Sequence, residues 1–189
     1  RIIAYDIDED GNWVNARDDT PDDMGRIAAQ IAYYVAAAVA LGAPDREVSF
    51  AVPTGNFGNI LAAWAARRIG VPITRLVVAS NRNDILARFL DTNDMTICGV
   101  EPSLSPSMDI QVSSNFERLL FDAYRRDARA VRALMNSLSQ SRRFTVSGDA
   151  LSEIRALFSA DQADESETAA TIRTVLRETG RMIDPHTAV

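Results

Sequence analysis

The stretch best suited to chemistry is Pro53-Thr54-Gly55-Asn56-Phe57-Gly58-Asn59, which follows the apolar run Val48 to Val52 and leads into an alanine-rich helical pattern. Backbone N–H groups converge on an anion only where no Cβ intrudes, and the start of a helix adds unsatisfied N–H groups and the positive end of its dipole. The turn from Gly55 to Asn59 therefore has the shape of a phosphate site. Asn56 suits the left-handed backbone that an anion-cradling turn needs. The loop lacks both the G-x-x-x-x-G-K-[ST] pattern and the three-glycine dinucleotide spacing. Its pattern leaves two readings open, an anion cradle and a tight strand-to-helix turn, and Phe57 fits either as a core or lid residue or as a contact on a cofactor's edge.

Other chemistries are narrowed by what the chain contains. All 20 basic residues are arginine, so no side-chain amine is present to form a Schiff base. His186 is the only histidine, which excludes a multi-histidine metal site and makes a structural role at its Asp-Pro helix entry the simpler reading. One cysteine, Cys98, forms neither an internal disulfide nor a metal cluster, so no metal is expected. Asp18, Asp19, Asp22 and Asp23 lack the spacing of a calcium loop and read as a solvated approach to a helix. A net charge of −6 argues against nucleic acid. The longest apolar run, Ile31 to Leu41, is too short to span a bilayer, and no basic-then-apolar leader opens the sequence, so a cytoplasmic protein is expected.

Length and 47% hydrophobic content allow one substantial core. Residues 1–23 show at most a short edge strand at Ile2, Ile3 and Ile7, with a turn at Gly11-Asn12. From Met24, apolar residues recur at helical spacing through Ile27, Ile31, Tyr34, Val35, Ala38 and Leu41, until Gly42 and Pro44 intervene. The intervening alanines suggest burial on more than one side, with Tyr33 and Tyr34 in the core. Val48 to Val52 and Ile73 to Ala79 read as parallel strands joined by the helix Ile60 to Ile69, with Trp64 on its packing face.

The second strand ends in Ser80-Asn81-Arg82-Asn83-Asp84, which shares a sheet edge with the glycine loop and offers an N-cap for a helix Ile85 to Leu90. Ser103 to Ile110 is a loop rich in small hydroxyls. Ser114 and Glu117 have capping-box spacing, as do Asp164 and Glu167. Between these boxes come a helix through Val131 and Leu138, a strand or extended link at Phe144-Thr145-Val146, and a helix Ala150 to Phe158. Arg125, Arg126, Arg129 and Arg132 read as a solvated face. Met182-Ile183 suggests a short strand. Asp184-Pro185 then resembles the entry to a further helix, so the sequence is expected to be a fragment of a longer protein.

Taken in order, Val52-Pro-Thr-Gly-Asn-Phe-Gly-Asn59, Ala79-Ser-Asn-Arg-Asn-Asp-Ile-Leu86, Leu104-Ser-Pro-Ser-Met-Asp-Ile110, Ser113-Ser-Asn-Phe-Glu-Arg118 and Asp184-Pro-His-Thr-Ala-Val189 resemble the threonine synthase family, in its yeast and bacterial branch. The likeness starts near Met24 to Tyr34 and leaves residues 1–23 unmatched. It implies residues 24–189 form part of the large domain of a fold-type II pyridoxal-phosphate enzyme: an incomplete α/β fold with a three-layer open parallel sheet and helices on both faces, like tryptophan synthase β.

The activity implied is a lyase reaction converting O-phosphohomoserine, a small-molecule substrate, and water into threonine and phosphate with pyridoxal 5'-phosphate. In such enzymes the cofactor phosphate rests on the residues matching Gly55, Asn56, Phe57, Gly58 and Asn59. Asn81, Asn83, Ser105, Ser107, Asp109 and His186 also match family motifs, without an assigned step. The family's Schiff-base lysine is missing, so the chain alone is expected to be inactive. A non-catalytic module binding phosphate or a phosphorylated metabolite is the alternative. The resemblance leaves oligomerisation open.

Overall fold

The computed structural model describes residues 5–7, 13–15 and 22–189. Tyr5–Ile7 (β1) pairs antiparallel with Trp13–Asn15 (β2). The expected edge strand is thus realised at Ile7. The turn at Gly11-Asn12, Ile2, Ile3 and the side chains of the aspartate cluster lie outside the described residues.

Helix α1 (Asp22–Ala40) buries a single stripe, Ile27, Tyr34 and Ala38. The expectation of burial on several sides is corrected here. Ala28, Ala32, Ala36 and Ala40 are exposed, and Tyr33, expected in the core, is 62% exposed. Alanine is a strong helix former wherever it sits, so its abundance reports propensity rather than packing.

Next comes the central βαβ unit, in which β3 (Val48–Pro53) leads through helix α2 (Gly58–Arg68) to β4 (Ile73–Ser80), parallel to it. Val52 pairs with Val78, and both are buried. The opposite face, carrying Ala51 and Val77, is more open. Trp64 is half-buried, with the Arg68 guanidinium 5.5 Å from its ring centre. Helix α3 (Ile85–Thr92) follows, and after a long irregular stretch come α4 (Phe116–Ala123), α5 (Ala128–Ser141) and α6 (Gly148–Leu157).

A third strand was not legible. β5 (Phe158–Gln162) runs parallel to β4 and completes a sheet of order β3-β4-β5, with the β4 strand central. The apolar period of α6, through Leu151, Ile154 and Leu157, carries on smoothly into Phe158, and the remaining Ser-Ala-Asp-Gln has little strand character. Pairing with β4, from Leu76↔Phe158 to Ser80↔Gln162, makes it a strand.

Phe144-Thr145-Val146 is an extended link rather than a strand. Met95 N–H donates to the Phe144 carbonyl, and Asn93 holds both backbone groups of Val146 at 2.9 Å. Helix α7 (Glu165–Thr179) begins in the expected capping box: Asp164 accepts from Glu167 N–H at 2.8 Å, and Glu167 accepts from Asp164 N–H at 2.9 Å. Met182-Ile183 forms no strand. Asp184 instead caps a short helix, α8 (Pro185–Ala188).

Behind the glycine loop lies an aromatic cluster. Phe57 packs on Phe116 at 5.2 Å and Phe158 at 5.7 Å, and Phe89 packs on Phe116 at 5.0 Å. These rings tie together the loop, α3, α4 and β5. The arrangement is α/β, a parallel sheet packed with helices, as the resemblance implied.

Candidate functional site

Pro53 closes β3 at the carboxyl edge of the sheet, and Thr54 N–H still bonds the Ala79 carbonyl at 2.9 Å. Beyond it the loop carbonyls turn to protein donors. Gly55 O accepts from Ser113 Oγ at 2.9 Å, and Asn56 O accepts from Asn115 N–H at 3.0 Å and Asn115 Nδ2 at 3.1 Å. By contrast, no hydrogen bond among the described residues uses the N–H groups of Gly55, Asn56, Phe57 or Asn59. Gly58 N–H alone is engaged, donating to Asn56 Oδ1 at 3.0 Å. Together with the start of α2, these amides form a row of donors at a helix N-terminus, the arrangement that binds anions.

Gly55 has a steric reason. A Cβ there would lie 2.6 Å from the Ser107 carbonyl oxygen, inside any real contact distance. Gly58 is tight in a milder way, since its Cβ would meet Asn56 Oδ1 at 3.2 Å and Asn115 Nδ2 at 3.4 Å.

The left-handed residue is Phe57, with φ 67°, and not Asn56. Asn56 contributes through its side chain instead, bracing the turn by the bond to Gly58. The positive φ of Phe57 costs on the order of 1 kcal/mol or more, and the burial of its ring, 2% exposed among the phenylalanines, offsets that cost. Its ring belongs to the core. Asn59 faces out of α2, with its Oδ1 accepting from the buried Tyr34 hydroxyl at 2.9 Å. Burial pushes Tyr34 up to about 12.

A second wall stands beside the loop. Asn81, at the end of β4, is 2% exposed and sends Nδ2 to Ser103 Oγ at 2.7 Å, Ser105 Oγ at 3.0 Å and Asp109 Oδ1 at 2.8 Å. Asn83 is drawn into the same network, donating to Asp109 Oδ1 at 3.0 Å and exchanging bonds with Glu101 O at 2.8 Å and Glu101 N at 2.9 Å. Asp84 holds the N-cap position and pairs with Arg88 at 2.9 Å instead of capping with its side chain. Burial alone would raise the Asp109 carboxyl, yet hydrogen bonds from Ser103, Asn81 and Asn83 outweigh it and hold the carboxyl below its usual range.

His186 comes back to this wall from the far end of the chain. Its Nε2 accepts from Ser107 N–H at 3.3 Å, which assigns the ring proton of the neutral form to Nδ1, 3.4 Å from Asp184 Oδ1. Ser107 therefore joins His186 through its N–H and the Gly55 loop through its carbonyl. Among the described residues no cluster of His, Cys, Asp or Glu is arranged to hold a metal ion, and no helix is long and apolar enough to cross a membrane.

Sequence reasoning missed the anchors Tyr34, Ser103, Ser113 and Asn115. The capping box expected at Ser114 and Glu117 is replaced by a helix beginning after Asn115, whose side chain makes no cap and bonds Asn56 O instead. Only the crowding of Asn and Ser near the loop signalled such a role.

No protein-family profile matches the chain. It is 50% identical over 164 residues to the threonine synthase of Pseudomonas aeruginosa, covering 87% of this chain and 35% of that protein. A solved PLP-bound threonine synthase from Brucella melitensis superposes with a TM-score of 0.85 at 56% identity, over 86% of this chain and 35% of that one. Further curated relatives include the threonine synthase of Corynebacterium glutamicum, 41% identical over 170 residues, and the human threonine synthase-like 1, 35% identical over 175 residues. The yeast threonine synthase structure agrees, with a TM-score of 0.83 at 34% identity and 89% of this chain covered, which supports the yeast and bacterial branch. The chain thus spans about a third of the length of the threonine synthases it matches, and the matched third includes the glycine loop within an α/β fold of the same kind.

Proposed function

We propose that this chain is the phosphate-holding part of a threonine synthase, a cytoplasmic lyase that turns O-phosphohomoserine and water into threonine and phosphate. The observation that carries the reading is the row of unengaged N–H groups at Gly55, Asn56, Phe57 and Asn59, in a chain that superposes on a PLP-bound threonine synthase. Residues 24–189 make up part of the large domain.

Pyridoxal 5'-phosphate, when bound, supplies an electron sink for carbanions formed next to the amino-acid nitrogen. The chain's own residues do the holding. Amides of Gly55, Asn56, Phe57 and Asn59 would donate to the cofactor's phosphate, and the dipole of α2 would add a favourable field. Gly58 serves by geometry, letting Asn56 fold back over its N–H. Ser113, bonded to Gly55 O, and Asn115, bonded to Asn56 O, keep the loop's carbonyls turned from the anion. Asn81, Asn83, Ser105, Ser107, Asp109 and His186 form the adjoining wall. With no lysine, the chain performs neither the covalent anchoring nor the proton shuttling of the reaction by itself.

That absence also favours a second reading, a non-catalytic module that binds phosphate or a phosphorylated metabolite. To separate them, the chain is joined to the remaining segments of the Pseudomonas aeruginosa relative and assayed for phosphate release from O-phosphohomoserine. Release of phosphate with threonine is the expected result. A folded chimera that binds pyridoxal phosphate yet releases none would favour the binding module.

A further inference from the structure

Asp109 sits where the two walls of the site are coupled. Its carboxylate accepts from Ser103 N–H at 2.8 Å, Ser103 Oγ at 2.6 Å, Asn81 Nδ2 at 2.8 Å and Asn83 Nδ2 at 3.0 Å. Each donor is itself committed. Ser103 Oγ accepts from Ser105 N–H at 3.0 Å, Asn81 Nδ2 reaches Ser105 Oγ, and Asn83 pins Glu101 through both amide atoms.

Ser105 starts the short turn Pro106–Met108, closed by Met108 N–H on the Ser105 carbonyl at 2.9 Å. Ser107 lies within that turn, and its carbonyl fills the space beside Gly55 that a Cβ would need. A continuous set of contacts therefore runs from the Asp109 carboxylate through Ser103 and Ser105 to the backbone of the glycine loop.

We propose that Asp109 is a positioning residue for the anion loop: its carboxylate fixes Asn81 and Ser103 so that the Ser105–Met108 turn presses Ser107 against Gly55 and keeps the loop amides aligned on a phosphate. This rests on the reading of Gly55 to Asn59 as the phosphate site. The requirement is for an acceptor on both oxygens, because every atom facing them in these bonds is a donor. Asp109→Asn keeps the shape but turns one oxygen into a donor, which then opposes another donor.

The test is inorganic phosphate binding to the chain, followed by ¹H–¹⁵N NMR titration, with thermal stability recorded separately. Asp109→Asn is expected to weaken phosphate binding by about tenfold, the scale of one lost charge-assisted hydrogen bond, with the Ser107 and Gly55 amide signals displaced. Unchanged affinity in the folded variant overturns the proposal. Should Asp109→Asn not fold, Ser103→Ala removes one donor and leaves the carboxylate paired; it must also weaken phosphate, and unchanged affinity overturns the proposal equally. If the unaltered chain shows no phosphate-dependent shifts at Gly55 to Asn59, the phosphate-site reading fails first and the role of Asp109 falls with it.

Discussion

The carbonyl oxygen of Ser107 and the α-carbon of Gly55 are packed so closely that a methyl group on Gly55 would lie 2.6 Å from that oxygen. Two loops far apart in sequence thus meet backbone to backbone, and the meeting point is the first amide of the proposed phosphate site. Gly55→Ala must push Ser107 away or distort the turn. It is expected to cost about 1–3 kcal/mol of stability, as overpacking does, and to abolish measurable phosphate binding. Urea unfolding and a phosphate titration of the same preparation check both parts.

Tyr34 and Asn59 give a prediction with a pH signature. Burial raises the folded-state tyrosine from 10.0 to about 12, so the folded protein holds its proton over a range in which the unfolded chain has lost it. Stability from this group is complete below pH 10.0 and falls as pH rises towards about 12. Tyr34→Phe is expected to flatten that part of the alkaline stability profile and to cost about 1 kcal/mol at neutral pH through the lost bond to Asn59. Denaturation midpoints between neutral and strongly alkaline pH provide the measurement. A variant with the same alkaline slope as the parent would refute the assignment.

Phe57 carries a strained backbone on the strength of its buried ring. Phe57→Ala removes the ring from contact with Phe116 and Phe158 while leaving a Cβ at positive φ. The expected loss is about 3–5 kcal/mol, at the level of a large core truncation. Chemical denaturation reads the loss directly, and a change below about 1 kcal/mol would mean that the loop is not anchored by its aromatic.

Asp109 adds an acid-side signature. Its carboxyl is held below the ordinary range, so the stability it contributes is present above the unfolded-state value and is lost as pH falls through the lower folded one. Asp109→Asn is expected to remove that segment of the acid profile, measured by thermal denaturation across the carboxylate range.

How much of this was written in the residues differs from place to place. The glycine loop and its βαβ frame were legible because local rules set them: an apolar strand, a proline stop, two glycines and an alanine-rich helix. The α7 cap at Asp164 and Glu167 was legible for the same reason. β5 was not, because pairing with β4 overrides the helical period that runs into Phe158. Asn115 sits in an apparent capping box, yet a distant carbonyl on Asn56 claims its side chain. The bonds joining Asn81, Ser103 and Asp109 are likewise tertiary, and sequence marks only that small polar residues gather there.

The central claim is that the loop amides, and not the arginine run from Arg125 to Arg132 or any other basic surface, receive a phosphate. A ¹H–¹⁵N NMR titration of the chain with pyridoxine 5'-phosphate, set against unphosphorylated pyridoxine, tests it most directly. Joint, saturating shifts of the Gly55, Asn56, Phe57 and Asn59 amides with the phosphorylated compound alone are the predicted result. Shifts confined to the segment from Arg125 to Arg132, or equal shifts with both compounds, would contradict it.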